Sequence, residues 1–206
     1  MITVAIEKRL KVYNGLHGLK IKKSFANGSI TRITGPSGAG KTTFLKMLAG
    51  LIKPDNGQIE VNGITWFSTN ARVNLTPQQR KAGFVFQDYA LFPNMTVMQH
   101  LEYATDDKEW ITKLLNVGGL DNFTDHKPGH LSGGQQQRLA ILRALAIKPA
   151  LLLMDEPFSA LDSKMKSQLI TDLKAIFDTI GCTVLIVSHN PQELDSICDD
   201  ELEIAN

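Results

Sequence analysis

Apolar and polar positions along this chain alternate between two rhythms. Residues 29–34 read as a strand ending at Gly35. Residues 41–51 then read as a helix, because Phe44, Leu45, Leu48, Ala49 and Leu51 share one face. Two short apolar runs, 151–154 and 183–187, suit strands covered on both faces. Between them Met165, Leu169, Leu173, Ile176, Phe177 and Ile180 recur at helical spacing, and Gly181 supplies a stop. Residues 139–146 form a further apolar helical stretch, and Asn190-Pro191-Gln192-Glu193 has the form of a helix start capped by Asn190. Strands alternating with helices predict an α/β architecture around a largely parallel sheet. The stretch 96–129 breaks this rhythm. It is polar and helix-like, with Trp110, Ile111, Leu114 and Leu115 spaced for one apolar face, and predicts a helical lobe inserted into the α/β body.

Composition narrows the class. The 206 residues suit one large domain or one domain with an inserted lobe, and 43% apolar content with 21% charge can fill a core, which excludes a disordered tail. Lys and Arg number 22 against 21 Asp and Glu, a formal net charge of +1 that argues against a protein coating nucleic acid by charge. The charge is uneven, with Lys8, Arg9, Lys11, Lys20, Lys22 and Lys23 near the start and Glu193, Asp195, Asp199, Asp200, Glu201 and Glu203 near the end. Such runs read as solvated faces. Cys182 and Cys198 are too few for a disulfide scaffold or a four-ligand zinc site, and read as free thiols of a reducing cytosol. Charge at Glu7 and Lys8 interrupts any signal-like apolar core. No apolar run approaches the roughly 18 residues a membrane span needs. The chain is expected to be soluble, with any membrane spans supplied by another polypeptide.

The strongest chemical signal is Gly35-Pro36-Ser37-Gly38-Ala39-Gly40-Lys41-Thr42, which matches G-x-x-x-x-G-K-[ST] between an expected strand and helix. The glycines let the loop curl so that backbone N–H groups point at phosphate oxygens, and the helix adds its positive end. Lys41 would reach the β- and γ-phosphates and the Thr42 hydroxyl would ligate Mg²⁺; Thr43 is grouped with the same loop. The loop by itself permits kinases, GTPases, helicases and transport ATPases. Leu151-Leu152-Leu153-Met154-Asp155-Glu156-Pro157 then puts two carboxylates at the end of an apolar strand. Asp155 is placed to hold Mg²⁺ and Glu156 to accept a proton from an attacking water. Leu131-Ser132-Gly133-Gly134-Gln135-Gln136-Gln137-Arg138 opens a helix with glycines, a hydroxyl and amides, a second anion-binding surface that one triphosphate in one chain does not need.

With these motifs the sequence resembles the ATP-binding-cassette ATPases over nearly its whole length. LSGGQ at 131–135, lying after the phosphate loop and before LLLMDEP, is that family's signature. The resemblance implies a phosphate-loop NTPase (RecA-like) core with an N-terminal antiparallel β region. One nucleotide-binding domain would span 1–206, its catalytic core 1–87 and 136–206 and its helical subdomain about 88–135. It also implies a head-to-tail pair of subunits in which Ser132, Gly133, Gly134 and Gln135 of one close over the ATP of the other. Gln87 matches the loop that senses Mg²⁺ and water and links to the membrane subunit, and Ser159-Ala160-Leu161-Asp162 matches the loop that communicates across the pair. His189 matches the switch histidine at the γ-phosphate. Tyr13 lies where the family often sets an aromatic ring against adenine; an ordinary strand tyrosine is the alternative.

The implied activity is ATP hydrolysis powering a membrane transporter, with ATP and Mg²⁺ as ligands. The segments 75–77 and 87–93 look like bacterial importer subunits, and 26–50 with the compact lobe looks most similar to importers of molybdate and related oxyanions. The expected partners are a second copy and an integral-membrane permease docked on the lobe and the Gln87 loop, with no nucleic acid, at the cytoplasmic face of the cell membrane. A soluble cassette ATPase acting as a clamp in translation or DNA maintenance is the rival reading. Three departures stand out. Arg32 occupies a usually apolar strand position, which places that strand nearer an edge or pairs its charge. The lobe is small. The sequence ends at Asn206, so a C-terminal regulatory domain and the usual closing strands are expected to be missing.

Overall fold

A computed structural model describes residues 1–12 and 15–205. Strands β1 (Ile2–Val12) and β2 (Gly15–Phe25) lead to β3 (Ile30–Thr34) and helix α1 (Lys41–Leu48). Strands β4 (Asn56–Val61), β5 (Ile64–Ser68) and β6 (Val73–Asn74) follow, then a single helical turn α2 (Pro77–Arg80) and β7 (Gly83–Val85). The lobe contributes α3 (Val97–Glu102), α4 (Lys108–Gly118) and the start of α5 (Gly133–Ala146). The chain then returns through β8 (Leu151–Asp155), α6 (Ser163–Ile180), β9 (Thr183–Val187) and β10 (Asp200–Glu203).

These strands build two sheets. One is antiparallel, in the order β2-β1-β4-β5-β6, and the other runs β10-β3-β9-β8-β7 with every pairing parallel. Side chains of a strand alternate faces, so the unbroken apolar run of β8 serves two cores at once. Leu151 and Leu153 face a core shared with α1 and the antiparallel sheet, whereas Leu152 and Met154 face a second core with α5, α6 and the lobe. Helix α1 lies inside the first core, with Phe44, Leu45, Met47 and Leu48 fully buried. That packing fixes the helix whose first residue is Lys41.

The lobe follows its predicted face. Trp110, Ile111, Leu114 and Leu115 are all buried on α4, and the Trp110 indole N–H donates to the Leu145 carbonyl at 3.3 Å, which ties the lobe to the C-terminal part of α5. Among the described residues, no helix is long and apolar enough to cross a membrane. Both cysteines are free, and burial pushes the Cys182 thiol up to about 12.

Four expectations need correction. Helix α1 stops at Leu48, and Leu51 is exposed, because Gly50 turns left-handed at φ 80° and the Leu51 N–H returns to the Lys46 carbonyl at 2.9 Å, while the Arg80 guanidinium takes the Met47 and Leu48 carbonyls at 2.7 and 2.8 Å. Asn190 does not cap a helix: its side-chain amide donates to Glu193 at 2.9 Å and the chain makes only a 3-10 turn over Pro191–Leu194. A closing strand is present, since β10 pairs in parallel with β3 and Ile204 N–H donates to Thr34 at 2.9 Å. The basic start and acidic end are not merely solvated, as Lys23 pairs with Asp200 at 2.7 Å. The expectation for Arg32 holds: its strand β3 lies next to the edge strand β10, and its charge pairs with Asp195 and with Glu201, the latter at 2.9 Å.

Candidate functional site

The phosphate loop runs between β3 and α1 at the carboxyl edge of the parallel sheet, where α/β folds bind ligands. Gly40 precedes the helix at φ 97°, a left-handed conformation that a side chain would strain. Gly35 lies so close to the end of β10 that a Cβ would meet the Ile204 carbonyl oxygen at 2.2 Å. Ala39 is buried beneath the loop. The Lys41 ammonium, buried at the start of α1, donates to the Gly35 and Pro36 carbonyls at 2.7 and 2.9 Å, so it rests inside the loop.

The loop forms one wall of a cleft of about 510 Å³. Among the described residues its lining brings together Ser37, Gly38, Gly40, Lys41, Thr42, Thr43, Gln87, Asp155, Glu156 and His189, joined by Leu10 and Val187. Strand pairing explains the convergence. Asp155 ends β8 directly opposite Val187 at the end of β9, and β7 beside β8 delivers Gln87 two residues past its end. Ser132, Gly133, Gly134 and Gln135 are not among the lining residues, so the second glycine-rich motif lies outside this cleft. Tyr13 lies outside the described residues.

Asp155 and Glu156 are 3% and 7% exposed. The Glu156 backbone adopts φ 54°, which for a residue with a Cβ stores strain on the order of 1 kcal/mol or more. One carboxylate oxygen, Oε2, accepts the His189 backbone N–H at 3.0 Å. The other, Oε1, is buried without a hydrogen-bond partner, 3.5 Å from His189 Nε2. Burial raises the Glu156 pKa above the ordinary carboxylate range, against the lowering pull of the His189 N–H and of nearby positive charge. A buried carboxylate held this way is a stronger proton acceptor than one in water.

The glycine-rich turn at 132 is a helix N-terminus with a complete capping box. Ser132 Oγ accepts from Gln135 N–H at 3.3 Å and the Gln135 side chain accepts from Ser132 N–H at 2.8 Å. Ser132 and Gly133 are exposed, so this turn faces outward from α5.

Two polar residues, His100 and Arg143, escaped the sequence reading, and a third, Gln137, is placed by it among the amides of the second anion-binding surface. His100 is fully buried; its Nε2 accepts the Phe92 N–H at 2.9 Å and its Nδ1 lies 2.7 Å from the Thr96 carbonyl. Arg143 of α5 donates to the Ala90 and Tyr89 carbonyls at 2.5 and 3.1 Å, holding two left-handed residues just beyond Gln87. Gln137 shares the buried stripe of Ala140, Ile141 and Ala144. The available signal was a polar residue at an apolar position of a helical stripe, as at Val97-His100-Leu101.

Oxygen donors, the Thr42 hydroxyl, the Gln87 amide and the Asp155 carboxylate, line the cleft near the phosphate loop, which fits a hard divalent cation such as Mg²⁺. Among the described residues no group of three His, Cys, Asp or Glu forms a metal cage, in keeping with an ion held partly by phosphates.

A loop of this geometry between strand and helix, facing buried carboxylates, defines a phosphate-loop nucleotide hydrolase. The family profile described as ABC transporter matches residues 19–159. The chain is 36% identical over 214 aligned positions to a probable sulfate/thiosulfate import ATP-binding protein, CysA, of Chlorella vulgaris, covering all of this chain and 88% of that one. It is 41% identical over 198 positions to the spermidine/putrescine import ATP-binding protein PotA of Fusobacterium nucleatum, and 40% over 207 to the molybdenum import ATP-binding protein ModC of Brucella abortus. These matches cover 92% and 96% of this chain but only 51% and 55% of the relatives, so the chain spans about half the length of those two proteins. The dimeric cassette MJ0796 superposes with a TM-score of 0.82 at 31% identity over 100% of this chain and 94% of that one. A post-hydrolysis dimer of MJ0796 with ADP and Pi gives 0.83 at 32%, over 99% and 94%.

The chain belongs to the ABC transporter family. It is an ATP-binding ATPase domain of that family.

Proposed function

We propose that this chain is the ATP-hydrolysing subunit of a membrane importer, acting as a head-to-tail pair on the cytoplasmic face of the membrane. The observation that carries the reading is the convergence of Lys41, Thr42, Gln87, Asp155, Glu156 and His189 on one cleft while the exposed Ser132 turn lies outside it. An exposed helix N-terminus that serves no phosphate in its own chain is suited to one in a partner.

In this reading the backbone N–H groups of residues 37–43 hold the ATP phosphates, and Lys41 exchanges its loop carbonyls for the β- and γ-phosphates. Thr42, Asp155 and Gln87 would hold a magnesium ion, which would neutralise charge on the phosphates when bound. Glu156 takes a proton from water through Oε1, its unpartnered oxygen. The water oxygen then bonds to the γ-phosphorus, the bond to the bridging oxygen breaks, and ADP and phosphate result. His189 keeps the carboxylate oriented, and Ser132 to Gln135 of the partner copy complete the charge stabilisation. Such catalysis is mostly positioning and electrostatics. Tyr13 is proposed at the adenine.

The domain assignment is likewise proposed: one nucleotide-binding unit, with the lobe at about 88–135 and the Gln87 loop docking a permease. Relatives named for sulfate and molybdenum import support an inorganic oxyanion such as molybdate as cargo, whereas the polyamine relative shows that related cassettes serve other permeases.

The test is Glu156→Gln. The variant should bind ATP, lose hydrolysis by at least about a hundredfold, and accumulate as an ATP-bound dimer on gel filtration. Hydrolysis at the parent rate would remove Glu156 from the assigned role.

A further inference from the structure

Gln137 is a polar side chain in a core position. It lies on α5 five residues beyond Ser132 and is 1% exposed. Both ends of its amide are engaged. Nε2 donates to the Glu156 carbonyl at 3.1 Å and to Ser159 Oγ at 3.2 Å, and Oε1 accepts the Ala160 N–H at 3.0 Å. Every partner belongs to the turn that carries Glu156. The first turn of α5 rests on that same segment: a Cβ at Gly134 would stand 3.1 Å from the Leu161 side chain and 3.4 Å from the Ala160 carbonyl oxygen. The exposed turn at Ser132 and the buried turn at Glu156 are thus two ends of one packed unit, joined by the Gln137 amide and by the packing of Gly134 on Ala160 and Leu161.

We propose that Gln137 is a positioning residue that couples the Ser132 turn to Glu156 of the same chain, so that a nucleotide held against Ser132 by a second copy sets the placement of the carboxylate in this chain's own cleft. The inference rests on the proposed roles of Ser132 and Glu156. Its physical basis is stiffness. Ser132 and Gln137 lie within the first turns of one hydrogen-bonded helix, so a displacement at the cap is carried to the amide with little loss. The amide holds the carbonyl of a residue in a left-handed conformation, which has few neighbouring minima. A shift of that carbonyl therefore moves the carboxylate relative to the His189 N–H. Coupling of this kind is reciprocal, so the two nucleotide sites of a pair are expected to cooperate.

The experiment compares Gln137→Met, which keeps the length and removes both polar functions, with Gln137→Glu, which keeps an acceptor for Ala160 N–H and removes the donor to Glu156. Full-length chains are assayed for equilibrium ATP binding, for steady-state hydrolysis against ATP concentration, and for amide hydrogen exchange. Gln137→Met should bind ATP within about twofold of the parent, lose about tenfold in kcat, show a Hill coefficient falling to about 1, and exchange the Ala160 amide faster. Gln137→Glu should lose kcat similarly with Ala160 still protected, and it carries the test if the Met variant does not fold. Parent-like kcat and Hill coefficient in both variants overturn the proposal. So does an equal loss of ATP affinity and kcat, or a parent Hill coefficient of 1. Undiminished hydrolysis by Glu156→Gln would instead strike the underlying reading of the base.

Discussion

The His189 backbone N–H holds Glu156 Oε2 at 3.0 Å, while its imidazole Nε2 lies 3.5 Å from Oε1, which has no hydrogen-bond partner. The imidazole is largely exposed, 71%, whereas the carboxylate is 8% exposed. An outward histidine thus guards a buried acid at the mouth of the cleft.

That burial gives Glu156 a cost in stability. Its folded pKa is raised above the ordinary value of 4.5, chiefly by desolvation. The neutral acid is favoured by the fold, so the contribution to stability is full below the ordinary value and is lost as pH rises through the raised one. Glu156→Gln should therefore melt above the parent at pH 7.5 and lose that advantage at pH 4. A variant melting below the parent at pH 7.5 contradicts this account.

Lys41→Ala removes the phosphate partner and two contacts internal to the loop. ATP affinity measured by equilibrium titration should fall at least about tenfold, the loss expected for one charge-assisted contact. Binding at parent affinity would mean that Lys41 does not meet phosphate.

Mixing Lys41→Ala with Ser132→Arg chains tests whether the outward turn acts on a neighbour. If it does, a mixed pair holds one intact site and one doubly damaged site. Each variant alone should be inactive and the mixture should regain detectable hydrolysis, at a reduced kcat because the chain with the intact cleft meets no nucleotide at its own residue 132. Proven mixed pairs without activity would count against action across the pair.

Arg80 tests what anchors the phosphate-loop helix. Its guanidinium takes carbonyls at the end of α1 together with Leu75 and Asn74, and burial pushes its pKa down to about 10. Arg80→Leu removes the side-chain donor from those carbonyls, of which Met47 keeps the Gly50 N–H at 3.2 Å, and should cost about 2–4 kcal/mol in urea unfolding. A loss under about 0.5 kcal/mol would show that water replaces the side chain.

His100 predicts acid sensitivity of the opposite sign to Glu156. Accepting the Phe92 N–H through Nε2 requires the neutral ring, and burial lowers its pKa below the ordinary 6.5. Its contribution is present above that value and declines as pH falls toward the lowered pKa. The melting difference between the parent and His100→Asn should shrink from pH 7.5 to pH 5.5. An unchanged difference would argue that the ring does not titrate in this window.

Local patterns carried the elements well. The stripe from Leu169 to Phe177 is buried on α6, and Gly181 ends that helix in a left-handed cap. The stripe from Phe44 to Leu51 overruns the end of α1 at Leu48, where Gly50 gives the local stop in a left-handed turn. What no local pattern announces is Arg80, which comes from another turn of the chain to take the Met47 and Leu48 carbonyls.

Helix stripes, buried strands and the phosphate loop depend on neighbours within a few residues, and so the linear order of amino acids was enough to specify them. The same order, compared with a known family, already assembled the nucleotide residues in name. Their convergence at one cleft depended on parallel pairing, which brings Asp155 beside Val187 and sets Gln87 just past the strand that flanks Asp155 on its other side. The ties of Gln137 to the Glu156 turn, of Arg143 to Ala90 and of Arg80 to Met47 join segments 19, 53 and 33 residues apart. A hydrogen bond of that reach leaves no periodic trace, since its geometry exists only once the sheets and helices have packed.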